Sequence, residues 1–235
     1  GLYFTMKLAQ GDALNDILDR LRAGDSGAAA TYTTYHLLSI FRKVCDAISY
    51  AHSKNIIHQD IKPHNIMVGQ YGEVLLMDWG LARYIGNPDQ EPDPGQRELI
   101  KDFLGILKSD DDLIKGSPVY MAPEQVVGEG AGLDRRTDIF LLGATLYHIF
   151  TLMPPYFGKS IQAVFEKARK VDLIPPDRRT PERQIPEEIC RIILKAMAAD
   201  KADRYQTVEA MSEDIDDLIA GKWSRQEKKR FAAGE

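Results

Sequence analysis

A mainly α-helical lobe carrying one small β-hairpin is the fold the sequence predicts, and three observations predict it. Apolar residues recur at helical spacing through most of the chain, two short apolar runs flank a single Gly-containing turn, and one apolar stretch past the middle reads as a helix buried on all sides. With 235 residues, 44% of them hydrophobic, the chain can build a substantial core.

The elements follow in order. Residues 2–8, Leu-Tyr-Phe-Thr-Met-Lys-Leu, lack helical periodicity and read as a strand running into the turn Gln10-Gly11-Asp12. Leu14, Ile17, Leu18 and Leu21 set a helix over 13–21, and the segment from Gly24 to Gly27 is expected to stop it. A longer helix over 33–52 follows, with Leu37, Leu38, Phe41, Val44, Cys45, Ile48 and Ala51 on one stripe. Ile66-Met67-Val68 and Val74-Leu75-Leu76-Met77 flank Gly69 and Gly72 as a hairpin. Residues 81–115 read as an irregular polar loop interrupted by a short amphipathic helix on Leu99, Ile100, Phe103, Leu104 and Leu107. The central buried helix spans 139–150, and three amphipathic helices over 161–168, 186–197 and 208–219 complete the lobe.

Composition excludes several classes. A net charge of −5 with acids and bases interspersed leaves no electrostatic footprint for nucleic acid. The basic stretch 222–230 reads as a solvated tail, because a few cations without an adjacent apolar span hold lipid weakly. Cys45 and Cys190 lie among apolar neighbours on expected helices, so they read as buried thiols in a reducing, cytoplasmic compartment. No apolar run reaches the roughly 18 residues that span a bilayer, and a span outside these residues is left open.

The chemistry concentrates in His58-Gln59-Asp60-Ile61-Lys62-Pro63-His64-Asn65 and Asp78-Trp79-Gly80. Phosphoryl transfer asks for metal ligands, charge neutralisation and a proton acceptor rather than covalent work by the protein. Asp78, at a strand end before a glycine, suits Mg²⁺ bridging nucleotide phosphates, and Asn65 suits a second Mg²⁺ as a neutral oxygen ligand. Asp60 can accept the hydroxyl proton and Lys62 can face the transferred phosphate as a fixed cation. The hairpin between Asn65 and Asp78 returns both to one edge. His58 reads as a structural residue beneath the metal-binding turn, and His36, His52, His64 and His148 do not cluster as ligands would.

His58-x-Asp60-x-Lys62-Pro63-x-Asn65, Asp78-x-Gly80 and Ala122-Pro123-Glu124, in that order, resemble the catalytic loop, metal-binding turn and activation-segment end of eukaryotic-type protein kinases. The wording Tyr120-Met121-Ala122-Pro123-Glu124-Gln125 and Asp78-Trp79-Gly80-Leu81-Ala82 is most similar to bacterial Ser/Thr kinases. The resemblance covers residues 2–220 and implies ATP, Mg²⁺ and a protein substrate. Within the α+β family fold it implies the large lobe, with a remnant hinge strand. It divides the chain into residues 1–11 (strand and hinge), 12–220 (large lobe, activation segment 78–124) and 221–235 (polar tail). It further implies that Met6 is the gatekeeper, that the backbone of Lys7 and Ala9 faces adenine and that Met67 floors it. Asp138 takes the position that anchors the catalytic-loop backbone, with Gly143 further along the same helix, and Arg204 the position that pairs with Glu124. Lys62 and Ser117 favour Ser/Thr over Tyr specificity, and Ser117 supports the substrate-binding loop.

The sequence departs from the pattern in four places. If Leu2 begins the fifth strand of the small lobe, the glycine-rich loop, strand lysine and helix glutamate are missing, and the chain alone is expected to be inactive. Gln59 stands where many members carry arginine, so a phosphorylated activation loop is not expected to be the switch; the acidic run 109–112 reads as a solvated loop. Trp79 replaces phenylalanine and keeps a large side chain there. The activation segment is long, and its amphipathic piece 99–107 is suited to cover the cleft or apolar surface left by a missing lobe. Two other readings stay open, a naturally truncated kinase-like binding or regulatory module and half of a split kinase. A lobe without its partner also exposes apolar surface for self-association.

Overall fold

The structure, a computed structural model, describes residues 11–86, 118–127 and 132–221. The expected strand over 2–8 with Met6, Lys7 and Ala9, the run 99–107, the acidic run 109–112, Ser117 and the tail 222–230 lie outside the described residues. The described part is mostly helical with a few short strands, as the sequence predicts.

The chain enters through β1 (Asp12–Ala13) and turns into α1 (Leu14–Arg22), whose Leu14, Ile17 and Leu18 are buried. The expected stop at Gly24 to Gly27 is half right. The first helix ends at Ala23, but Asp25 Oδ1 accepts from the N–H groups of Gly27 (2.8 Å) and Ala28 (3.1 Å) and so starts a further short helix, α2 (Ser26–Thr31). Thr33 caps α3 (Thr34–Ser53), and the whole expected stripe is buried along with Ile40 and His52. Each fully buried Leu, Ile or Phe contributes about 1.5–3 kcal/mol and a cap about 1 kcal/mol, so burial rather than capping holds this helix.

The chain then forms β2 (Ile56–Ile57), the loop over 58–65, β3 (Ile66–Val68), β4 (Val74–Leu76) and β5 (Arg83–Tyr84). The hairpin pairs Ile66 with Leu76, Met67 with Leu75 and Val68 with Val74, and β1 adds to its other edge through Asp12–Val68 and Ala13–Met67. A second small sheet, β2 with β5, has no counterpart in the sequence reading because each strand is only two residues long.

After the short α4 (Pro123–Val127) comes α5 (Arg135–Thr151), buried at every residue from Thr137 to Thr151. Its start is a capping box. Asp134 Oδ1 accepts from Arg136 N–H at 2.8 Å, and Asp134 N–H donates to Thr137 Oγ1 at 3.3 Å. The chain closes with α6 (Ile161–Lys170), α7 (Pro176–Arg179), α8 (Glu187–Ala196) and α9 (Val208–Ile219). α5 packs on α8 and α3 on α9, which puts α5 at the centre of one continuous core.

Gly143 is where α5 meets the end of α8. A Cβ there would stand 2.7 Å from Ala196 Cβ and 2.8 Å from Met197 Cγ. Gly143→Val is therefore expected to destabilise the fold by about 2–3 kcal/mol through overpacking, read as a shift in denaturant midpoint with unchanged slope. A neutral result would mean that α5 and α8 can separate freely at this point.

Candidate active site

Asp138, in the first turns of α5, is fully buried and carries its charge into the core. Its Oδ2 accepts from the backbone N–H of His58 and from His52 Nε2, both at 2.8 Å, and its Oδ1 accepts from the N–H of Gln59 at 2.8 Å. A buried carboxylate without donors would be costly, and here the loop backbone supplies them. Thr145, two turns further along α5, donates to Ile61 O at 3.4 Å. The loop from His58 to Ile61 is thus tied to the central helix.

His58 is itself fully buried, and both ring nitrogens are used. Nδ1 stands 3.2 Å from the Asp60 N–H and Nε2 3.1 Å from the Met77 carbonyl, a pattern that the neutral imidazole with its proton on Nε2 satisfies. Burial pushes its pKa below the usual imidazole value, against the opposing charge of Asp138. The Trp79 ring packs on it at 4.5 Å between centroids, and Trp79 Nε1 donates to Leu76 O at 3.0 Å.

Asp60 is 7% exposed. Its Oδ2 meets Lys62 Nζ at 2.7 Å and Asn65 Nδ2 at 3.0 Å, and Asn65 Nδ2 also donates to the Asp60 carbonyl at 2.8 Å. Both contacts use the nitrogen of the Asn65 amide, which turns its Oδ1 away from Asp60. A 3₁₀ turn, Pro63–Asn65, delivers Asn65 to the start of β3. Its carbonyl accepts from Met77 N–H at 2.7 Å, so Asn65 and the residue before Asp78 are bonded neighbours, as the hairpin reading requires. Asp78 is exposed, has a left-handed backbone (φ 56°), and accepts at Oδ1 from Gly80 N–H at 3.3 Å. A Cβ on Gly80 would come within 3.1 Å of that oxygen. Asp60, Lys62, Asn65 and Asp78 therefore converge at one end of the hairpin. Met67, half-buried, lies between Ala13 and Leu75, and Leu75 is 43% exposed.

Among the described residues no three His, Cys, Asp or Glu side chains converge as a protein-only metal cage. One exposed carboxylate and one neutral amide oxygen fit instead a Mg²⁺ ion that takes its other ligands from phosphates and water.

The Ala122-Pro123-Glu124 turn is fixed by a second buried charge. Arg204, 2% exposed, grips Glu124 by two hydrogen bonds, Nη1 to Oε1 at 2.7 Å and Nη2 to Oε2 at 2.9 Å. Thr137 Oγ1 donates to the same Oε1 at 2.9 Å, while Arg204 also reaches the carbonyls of Ala198 and Arg136. Burial acts to raise the Glu124 pKa, but the hydrogen bonds and charge of Arg204 outweigh it and hold the carboxyl below its usual range.

Four participants were not singled out by the sequence: His52, Thr137, Thr145 and Gln125. Gln125 Nε2 donates to Gln59 O at 2.8 Å and its Oε1 accepts from Ala122 N–H at 3.0 Å. Only Thr137 had a readable signal, as the third residue after a capping aspartate at the head of an apolar run.

The chain matches the protein kinase domain over residues 1–235. It is 34% identical over 229 residues to the serine/threonine-protein kinase PknD of Protochlamydia amoebophila, covering 94% of this chain and 22% of that protein. The PknD of Chlamydia caviae is 33% identical over 234 residues (94% and 23%), and that of Chlamydia pneumoniae 32% identical over 230 residues (95% and 24%). The chain spans less than a quarter of the length of these curated relatives.

Three stability outcomes follow from the buried charges. Asp138→Asn turns an acceptor into a donor facing other donors and is expected to cost about 2–4 kcal/mol in denaturant unfolding, with faster amide exchange at His58 and Gln59. Arg204→Ala leaves Glu124 buried without its two-bonded partner, with Thr137 Oγ1 at 2.9 Å and Lys201 Nζ at 4.0 Å in its place, and is expected to cost about 3–5 kcal/mol. The depressed Glu124 carboxyl contributes stability that is full above its ordinary value of 4.5 and lost as pH falls through its lower folded value. Glu124→Gln should flatten stability against pH in that acid window; an unchanged slope would show that Glu124 does not titrate differently on folding.

Proposed function

This chain belongs to the protein kinase family, in its eukaryotic-type bacterial Ser/Thr branch, and from that premise we propose that it transfers the γ-phosphoryl group of ATP to Ser or Thr hydroxyls of a protein substrate. The observation that carries the proposal is the Asp60 carboxylate, buried to 7% exposure and met at one oxygen by both Lys62 and Asn65, at the hairpin end that also bears Asp78.

Asp60 accepts the proton of the attacking hydroxyl on a carboxylate oxygen. Lys62, already 2.7 Å from that carboxylate, keeps a positive charge beside the point where negative charge grows in the transition state. Asn65 Oδ1 and the Asp78 carboxylate are the two hard oxygen donors for Mg²⁺. Bound Mg²⁺ supplies neutralisation of the nucleotide phosphates. Met67 offers an apolar floor to adenine from β3, with Met6 and the backbone of Lys7 and Ala9 on the hinge side. His58, Trp79, Gly80, Glu124, Asp138 and Arg204 support the site without touching substrate.

In this reading residues 1–11 are strand and hinge, 12–220 the large lobe with activation segment 78–124, and 221–235 a polar tail. No Gly-x-Gly-x-x-Gly occurs among the 235 residues. Turnover by these residues alone is therefore expected to fall about 10³-fold or more below that of a kinase with the phosphate cover and its lysine.

In the native protein, Asp60→Asn is expected to lower kcat by about 10²–10⁴-fold with the KM for ATP moving less than threefold or so. A variant that keeps a tenth of the turnover overturns Asp60 as the base. Native protein that binds Mg²⁺–ATP yet transfers no phosphate to any Ser or Thr substrate would instead favour a binding module.

A further inference from the structure

Gln125 closes the run Tyr120–Gln125 with no role assigned to it there, yet its side chain spans the gap between the Ala-Pro-Glu turn and the catalytic loop. It is held at the turn by the Ala122 N–H and reaches the Gln59 carbonyl with its Nε2 at 2.8 Å. Gln59 in turn sends its own Nε2 to the Leu81 carbonyl at 2.9 Å, just past Asp78-Trp79-Gly80. Two neutral side chains thus connect both ends of the activation segment to the residue that precedes Asp60.

The peptide unit between Gln59 and Asp60 is gripped at both polar ends. Its carbonyl accepts from Gln125, and its N–H points to His58 Nδ1 at 3.2 Å. Gln59 has φ 69°, a left-handed conformation that a residue with a Cβ adopts only when its surroundings hold it. On one side the Asp138 carboxylate fixes the Gln59 N–H; on the other only Gln125 fixes the Gln59 carbonyl among the described residues. Rotation of this peptide plane would swing the Asp60 side chain away from Lys62 and Asn65.

We propose that Gln59 and Gln125 form an uncharged cross-tie that orients Asp60, so that Gln125 is a positioning residue for phosphoryl transfer and the orientation needs no phosphate on the activation segment. This rests on the reading of Asp60 as the base. An arginine at position 59 would need an anion to hold it across the same gap; the glutamine is satisfied by a backbone carbonyl. The tie sits in a largely buried setting, where a hydrogen bond's direction is strongly enforced because an unpaired partner is costly.

The test uses the native protein with Gln125→Ala, Gln125→Glu, Gln59→Ala and the double Ala variant. Gln125→Glu keeps the size and the Ala122 contact but sets an acceptor against the Gln59 carbonyl. The expected result is a kcat loss of about 10–30-fold in each single variant, with KM values for ATP and peptide within about twofold and melting temperature little changed. The double variant should be no worse than the weaker single, because the residues act as one unit. Phosphatase treatment should leave wild-type kcat unaltered.

Turnover within twofold of wild type in both Gln125 variants overturns the proposal. So does a kcat loss that only tracks lost folded protein, or a wild type silenced by phosphatase. Hydrogen exchange over residues 58–61 separates this inference from the reading beneath it. Wild type without transfer sinks the kinase reading alone, whereas unchanged exchange in Gln125→Ala and Gln125→Glu sinks the cross-tie whether or not the protein turns over.

Discussion

The structure depends on a carboxylate placed where water cannot reach it. Asp138 is 0% exposed, on a helix buried along nearly its whole length, and among the described residues its carboxylate is met by the N–H groups of His58, Gln59 and His52. A charge in that position is tolerated only if its donors stay put. The consequence is that the loop carrying Asp60 cannot relax away from α5 without stranding an ion in the core. A stretch of chain without regular structure thereby acquires the rigidity of the most buried helix in the molecule.

The same first turn of α5 organises the other end of the site. Thr137, the residue before Asp138, completes the capping box with Asp134 and donates to Glu124, which Arg204 holds by two hydrogen bonds. One helical turn therefore fixes the loop at His58 and Gln59 through Asp138 and the Ala-Pro-Glu turn through Thr137 and Glu124. Geometry of this kind uses buried polar groups for position more than for stability, since well-packed apolar residues of the same size would serve stability at least as well.

Much of this was legible in the sequence, for reasons that differ by element. The stripe from Leu37 to Ala51 and the all-apolar run of α5 have a period that only a helix buries, so both were readable to within a few residues. The hairpin was readable because β-branched and apolar runs flank Gly69 and Gly72. α2 was missed because Gly24 and Gly27 look like punctuation, whereas Asp25 between them is a cap. The pairing of β2 with β5 was invisible because two-residue strands carry no periodicity and the partners lie far apart in sequence. The convergence of Asp60, Lys62 and Asn65 followed from their spacing, but Gln125 and Thr145 reach the loop only through tertiary packing, which no local pattern announces.

The candidate site divides into a half that the protein holds by its own bonds and a half that stands exposed. Asp60 and Asn65 are buried and bonded to each other, and the loop beneath them is fixed at His58, Gln59 and Ile61. Asp78 is exposed, and among the described residues its carboxylate makes the local contact to Gly80. Under the proposed function this asymmetry suits the division of labour in phosphoryl transfer. The proton acceptor must be in place before the hydroxyl arrives, because misplacement by about an ångström can cost a hundredfold in rate. A carboxylate meant for a hydrated divalent ion gains from staying in water until the ion and its phosphates replace that water, since early desolvation would favour its neutral form. Burial before the hairpin, at Asp60 and Asn65, and exposure after it, at Asp78, thus suit two demands of the chemistry proposed.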